Sequence, residues 1–298
     1  MRTSNKLILL FMVLCIFALS ASAELTGWWR FDNINNIGLD ASEYANDASL
    51  VGNCNFSTDA ISGSGSVEVA GGYLDLYSCL SGKYEGDFSD GCATFAMWIK
   101  LDSGNPSYSG FANIGAWCYP SFYPASANTL SLKLFLSEGD PVVTNLPANT
   151  ILSEWHNLAI TVDAIDLSAG YKVYFDGETI GEFPMDGTFG NFLPPQRPRI
   201  GAAYDVVSNT WSYTFGKIDE VRIYNNILSA RQIKNLVFNP DFNNDKNVDF
   251  ADLRLLSGSW LDQCASPDWC NGADINRDSL INFEDFVIFA DNWMQSVP

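Results

Sequence analysis

Between residues 93 and 177 the chain alternates apolar and polar positions in four separate runs, and this periodicity restricts the possible folds most tightly. In TFAMWIKL, Phe95, Met97, Ile99 and Leu101 share one face; in LSLKLFL, Leu130, Leu132, Leu134 and Leu136 do, with Ser131 and Lys133 turned away. HNLAITVD contributes Leu158, Ile160 and Val162, and YKVYFDG contributes Tyr171, Val173 and Phe175. Successive side chains of a strand point to opposite sides, so a period of two predicts strands with one face in a core. Many such strands in series build an antiparallel sandwich. Asp176-Gly177, between YKVYF and ETIGEF, supplies the positive φ angles of a two-residue hairpin turn. One short helix is expected in this region, LSARQIKNL at 228–236, opened by Ser229 as its cap.

The first residues set the destination. Arg2 and Lys6 precede the apolar run LILLFMVLCIFAL, and Ala21-Ser22-Ala23 forms a small-x-small cleavage pattern. This predicts a signal peptide over 1–23, a mature chain from about Glu24, and a secreted protein, extracellular or at the cell surface, with the periplasm as an alternative. Leu14 before Cys15 argues against a lipoprotein signal, and no later stretch is apolar enough to span a bilayer. Removing Arg2 and Lys6 from 16 basic residues leaves 14 against 35 acidic, a net −21. Such a balance excludes nucleic acid as a partner, because phosphate binding needs the opposite sign.

Six cysteines remain after cleavage: Cys54, Cys79, Cys92, Cys118, Cys264 and Cys270. An even number in an oxidising compartment favours disulfides. Cys264 and Cys270 bracket one short connection and are expected to pair with each other; the other four allow three connectivities.

Near the C-terminus, DFNNDKNVDFAD at 241–252 and DINRDSLINFED at 274–285 repeat one pattern of oxygen-bearing side chains 33 residues apart. A hard divalent cation takes oxygens from positions 1, 3, 5, 7, 9 and 12 of such a loop. Those positions are Asp241, Asn243, Asp245, the Asn247 carbonyl, Asp249 and Asp252 in the first loop. In the second they are Asp274, Asn276, Asp278, the Leu280 carbonyl, Asn282 and Asp285. Two calcium ions are therefore expected. Position 8 is apolar in both, Val248 and Ile281, as expected if the loops pair back to back through a short strand.

Asp rather than Glu at position 12, and Lys246 and Ser279 rather than glycine at position 6, separate these loops from regulatory EF-hands. The residues over 238–298 resemble type I dockerins, duplicated calcium modules that plug secreted proteins into cohesin modules, especially in polysaccharide-degrading complexes. The resemblance implies a cohesin-like module or another surface protein as partner. It implies contact through loop positions 10 and 11, which here are Phe250, Ala251, Phe283 and Glu284.

The larger segment, 24–237, carries GWWRFD at 27–32, DASEYANDASL at 40–50, WHNLAITVD, YKVYFDGETIG, RIGAAYD and GKIDEVRIYNNILSARQI in order. These resemble the laminin-G-like, concanavalin A-type jelly roll. The fold class expected is therefore mostly β, an antiparallel jelly-roll sandwich followed by a small α-helical dockerin-like module with two calcium loops. The resemblance also implies a structural calcium in the sandwich, for which Asp32, Asp219 and Asn46 are candidates by position.

Glucanases share this fold, and they place paired carboxylates on one strand in a Glu-x-Asp-x-Glu-like run. No strand here carries it: Glu138 and Asp140 belong to a turn, and the adjacent Asp219 and Glu220 would face opposite sides of a strand. The sole histidine, His156, has no nucleophile motif beside it. No catalytic residues are assigned. Aromatic loops suit binding instead, since their ring faces stack on the C–H faces of sugars: Trp117, Tyr119, Phe122 and Tyr123 in one, Tyr204, Trp211 and Tyr213 in another. The reading is a secreted, non-catalytic protein that binds a carbohydrate or protein surface, with calcium-dependent docking, in the setting of polysaccharide degradation. A divergent glycoside hydrolase and a purely structural surface protein are the alternatives.

Overall fold

The structure is a computed structural model that describes residues 24–76, 92–102, 109–110, 112–113, 119–126, 129–135, 142–147, 152–163, 165–168, 170–184, 199–205, 210–243, 245, 247–265 and 269–294. Its strands are β1 (Leu25–Trp29), β2 (Ser49–Val51), β3 (Cys54–Ser57), β4 (Ser66–Ala70), β5 (Tyr73–Asp75), β6 (Ala93–Leu101), β7 (Ser109–Gly110), β8 (Ala112–Asn113) and β9 (Tyr119–Ser126). They continue as β10 (Thr129–Phe135), β11 (Val142–Pro147), β12 (Trp155–Asp163), β13 (Gly170–Phe175), β14 (Glu178–Phe183), β15 (Arg199–Ile200), β16 (Ala202–Asp205), β17 (Thr210–Tyr213) and β18 (Phe215–Tyr224). Among the described residues three short helices follow, α1 (Ala230–Val237), α2 (Phe250–Gly258) and α3 (Phe283–Asp291).

The strands form a mostly β, antiparallel sandwich, as the alternation requires. One eight-stranded sheet runs β14-β13-β12-β6-β18-β4-β3, with β1 also paired to β18. Two four-stranded sheets, β11-β10-β9-β7 and β2-β5-β15-β8, and the hairpin β16-β17 complete it. Phe95, Met97, Ile99 and Leu101 of β6, Leu158, Ile160 and Val162 of β12, and Tyr171 and Val173 of β13 are all buried, in one core with Leu74, Leu132 and Ile200 from the smaller sheets. Asp176 (φ 49°) and Gly177 (φ 80°) make the tight β13–β14 turn. Gly177 also runs close to α1: a Cβ there would lie 3.3 Å from the Lys234 Cα.

The other face of the large sheet is covered as well. Ala96 and Ala159 lie opposite each other on β6 and β12, and these small side chains let Ile233 and Leu236 of α1 settle against them with Tyr174 and Tyr224. Ser229 caps α1, its hydroxyl accepting from the Gln232 amide while the Gln232 side chain accepts from the Ser229 amide. Further along the same face, Trp98, Ile61 and Val237 pack with Trp155 and Phe238. Phe238 packs in addition against the C-terminal core of Val248, Leu256, Ile275, Ile281 and Phe289, so the junction residue belongs to both cores.

In the C-terminal segment, among the described residues, position 8 of each loop bonds to another stretch of chain and not to the other loop. The amide of Ile281 donates to the carbonyl of Asp262 and that of Leu261 to Ile281, while the amide of Met294 donates to Val248. Each loop thus bonds to the chain leaving the other repeat's helix. The side chains repeat the exchange: Phe250 meets Trp293 edge-on at 4.9 Å, and Phe283 meets Trp260 edge-on at 5.4 Å. Two apolar half-cores, too small to bury themselves, complete one another by this crossing.

Candidate functional site

Among the described residues three places gather groups able to do chemistry or binding. The first is an aromatic platform on the smaller-sheet side. Alternation along β5 turns Leu74 into the core and Tyr73 away from it, and β15 likewise buries Ile200 and leaves Arg199 half-buried. The β16–β17 hairpin then brings Trp211 over them. Its ring stacks on Tyr73 at 5.8 Å with 4° between planes, and on Tyr213 at 6.2 Å with 23°. The Arg199 guanidinium carbon lies 4.6 Å from the Trp211 centroid and 5.2 Å from that of Tyr73. Trp211 remains 38% exposed. Sequence reading identified Trp211 and Tyr213 but missed Tyr73 and Arg199, which are far from the hairpin in the chain and carry no local signal. Trp117 lies outside the described residues. Tyr119, Phe122 and Tyr123 fall on β9 and Tyr204 on β16, where the backbone alone is described.

The second place is the pair of C-terminal loops. Asp252 is fully buried and accepts from the amides of Phe242 (2.8 Å), Asn243 (3.2 Å) and Asp249 (2.9 Å). Asp285 repeats this with Ile275 (2.7 Å), Asn276 (3.2 Å) and Asn282 (2.9 Å). Asp241 accepts from the Asp245 amide, and Asp274 from those of Asp278 and Ser279. Asp245 and Asp278 accept from Asn247 and Leu280. Positions 9 and 12 of each loop double as N-cap and third residue of the following helix: Asp249 with Asp252 on α2, Asn282 with Asp285 on α3, each a complete capping box. Ser279, at position 6, has φ 80°, the left-handed conformation that position demands; Lys246 lies outside the described residues. Burial, with the neighbouring Asp285 and Asp278 carboxylates, raises the Asp274 carboxyl above its usual range. Among the described residues no three His, Cys, Asp or Glu side chains cluster as a metal site by themselves, so Asn side chains and main-chain carbonyls would have to complete any such set.

The third place is the cluster of acids near the first and last strands. Asp219 is buried and accepts from the amides of Ile61 (3.0 Å), Ser62 (3.4 Å) and Glu220 (2.7 Å). Asp32 accepts from the Ser64 and Gly65 amides and pairs with Arg30 at 3.1 Å. Both therefore hold one loop, 61–65, at its two ends. Asn46 is engaged elsewhere, donating to the Thr26 carbonyl and, through its amide, to Asp40. Asp40 is the centre of the 40–50 stretch, accepting from the amides of Trp28, Ser42 and Asn46 and from the Ser42 hydroxyl. Burial first, then the Glu220 charge, pushes the Asp219 carboxyl up to about 8.

The expectation that Asp219 and Glu220 face opposite sides of the strand does not hold, because β18 shifts register between Asp219 and Arg222 and Glu220 takes φ 49°. Both are buried. Glu220 accepts from Trp28 Nε1 (2.7 Å) and Arg222 (2.6 Å). His156 Nδ1 lies 2.7 Å from the Asp176 carboxylate and its ring stacks on Phe175. Glu138 and Asp140 lie outside the described residues.

Cys264 and Cys270 form the expected disulfide. Cys54 is a thiol whose Sγ contacts the Val51 and Tyr73 carbonyls, and burial pushes its pKa up to about 11. Cys79, Cys118 and residues 1–23 lie outside the described residues. No helix among the described residues is long and apolar enough to cross a membrane.

Residues 75–234 match the concanavalin A-like lectin/glucanases superfamily. No curated protein matches the chain. Among solved structures, the binding domain of botulinum neurotoxin serotype D aligns at TM-score 0.51 and 12% identity over 75% of this chain and 53% of that one. Domain 4 of an extracellular GH43 arabinanase from Geobacillus stearothermophilus, in complex with arabinotriose, aligns at TM-score 0.47 and 18% identity over 72% of this chain and 98% of that one. The CBM40 of a Ruminococcus gnavus sialidase, bound to α2,3 sialyllactose, aligns at TM-score 0.43 and 18% identity over 57% and 95%.

Proposed function

The chain belongs to the concanavalin A-like lectin/glucanases superfamily, and from that premise we propose that its sandwich binds a glycan on the platform of Tyr73, Trp211 and Tyr213. The carrying observation is the near-parallel Tyr73–Trp211 stack, which holds a partly exposed indole in one orientation. A rigid ring offers a sugar's C–H face a large contact at little cost in side-chain entropy. The residues needed for hydrolysis are not assigned, so the activity proposed is recognition.

The C-terminal module is proposed to hold two calcium ions and to dock the protein to a cohesin-like module or another surface protein, outside the cell. The loop residues fit a hard cation: their donors are all oxygen, and Asp274, Asp278 and Asp285 bring like charges together that a divalent ion would neutralise. When bound, calcium would supply charge neutralisation and loop rigidity. The chain's own residues already shape the loops, the position-12 carboxylates tying each loop to the start of its helix. Phe250 and Phe283, 74% and 72% exposed, stand at matching places on the two repeats and would form the docking face with Ala251 and Glu284.

A glycan array probed with the protein and with Trp211→Ala, each with and without calcium, tests the recognition reading. Binding lost in the variant supports it; binding undiminished in a folded Trp211→Ala protein rejects this platform.

A further inference from the structure

Among the described residues, Arg199 lies against aromatic rings and not in an ion pair. Arg222 pairs with Glu220, Arg30 with Asp32 and Glu220, and Lys100 and Lys217 with Asp59. The Arg199 guanidinium instead lies against two aromatic faces, and its buried Nε has no hydrogen-bond partner among the described residues.

A guanidinium stacked by its face keeps its edge donors in one plane, the arrangement that meets a carboxylate or sulfate with two parallel hydrogen bonds. The adjoining indole can take the sugar ring to which such a group is attached. We propose that the platform selects acidic saccharides, with Arg199 binding the carboxylate or sulfate while Trp211 and Tyr73 carry the ring. This rests on the glycan reading above and names the ligand class for that site. The proximity of one fixed cation also accounts for how a protein of net charge −19 can hold an anionic polymer, since short-range pairing outweighs screened repulsion beyond about 10 Å.

The test is titration calorimetry with a panel of oligosaccharides matched in backbone but neutral, uronic or sulfated, using the full chain, Arg199→Gln, Arg199→Lys and Trp211→Ala. The expected result is acidic ligands bound about ten- to a hundredfold more tightly than neutral ones, the range of a charge-assisted hydrogen bond. Arg199→Gln should bring acidic and neutral affinities together, removing the preference, and Trp211→Ala should abolish binding of both. Melting curves of the variants establish folding, and Arg199→Lys, with charge but no fork, should retain part of the preference. A neutral-preferring wild type, or an acid preference intact in folded Arg199→Gln, overturns the inference and leaves glycan recognition standing. A wild type that binds none of the panel overturns both. Uronic and sulfated ligands bound alike assign the site to anionic charge in general; a difference between them identifies which group it takes.

Discussion

The guanidinium carbon of Arg277 lies 4.5 Å from the centroid of the Trp98 ring, and through that contact the second C-terminal loop rests on the outer face of the sandwich. Burial pulls the Arg277 pKa down to about 10 against the opposing pull of Asp176 and Asp274. At neutral pH it stays charged. A partly desolvated cation over an indole contributes about 2 kcal/mol.

Removing that contact should loosen the module. Arg277→Ala is expected to lower the unfolding midpoint of 238–294 while leaving the sandwich transition in place, so that calorimetry resolves two steps farther apart than in the parent. Arg277→Lys should retain part of the coupling. Traces that superimpose would mean that Phe238, shared by the two cores, carries the junction alone.

The position-12 carboxylates are expected to matter more than any other loop residue. Asp252→Ala or Asp285→Ala strands three backbone amides at a buried site, at about 1–3 kcal/mol each, and breaks the capping box of the following helix. Circular dichroism should show helix lost and sandwich signal retained. In the parent protein a chelator should shift the same transition downward; one that leaves the calorimetric trace unchanged removes calcium from the account.

Asp219 predicts a pH dependence. An unfolded Asp releases its proton near pH 3.9, whereas the folded carboxyl holds it to about 8. Between those values the folded state binds more protons, so stability falls as pH rises through the window and levels off above it. The slope is at most about 1.4 kcal/mol per pH unit. Urea denaturation from pH 4 to 9 should show this decline in the parent and its loss in Asp219→Asn; parallel curves would contradict the raised value.

The disulfide closes a short loop, Cys264 to Cys270, six residues apart. Chain entropy assigns such a closure about 2 kcal/mol. Reductant, or the Cys264→Ser/Cys270→Ser pair, should lower the module's midpoint and not that of the sandwich. A midpoint insensitive to reductant would place the module's stability elsewhere.

Much of the fold was legible because its signals are local. Apolar alternation named the buried faces of β6, β12 and β13, Asp176-Gly177 named a turn, and Ser229 named a cap. The binding platform was half legible: Trp211 and Tyr213 lie in one hairpin, but Tyr73 and Arg199 come from other strands. The pairing of the C-terminal loops was misread, because two apolar position-8 residues suit either partner. The exits of α2 and α3 took them instead.

The chain by itself determined which residues could be strands, which loop positions offer oxygens, and which two neighbouring cysteines would bond. Those are matters of period, spacing and short reach. Tertiary structure alone decided that Trp98, outside the alternating core face of its strand, is covered by Val237 and Arg277, that Asp40 gathers four donors, and that Arg199 lies against two rings instead of a carboxylate. Each depends on segments far apart in the chain arriving at the same surface, and the burial and charge they meet there exist only once the sheets have packed.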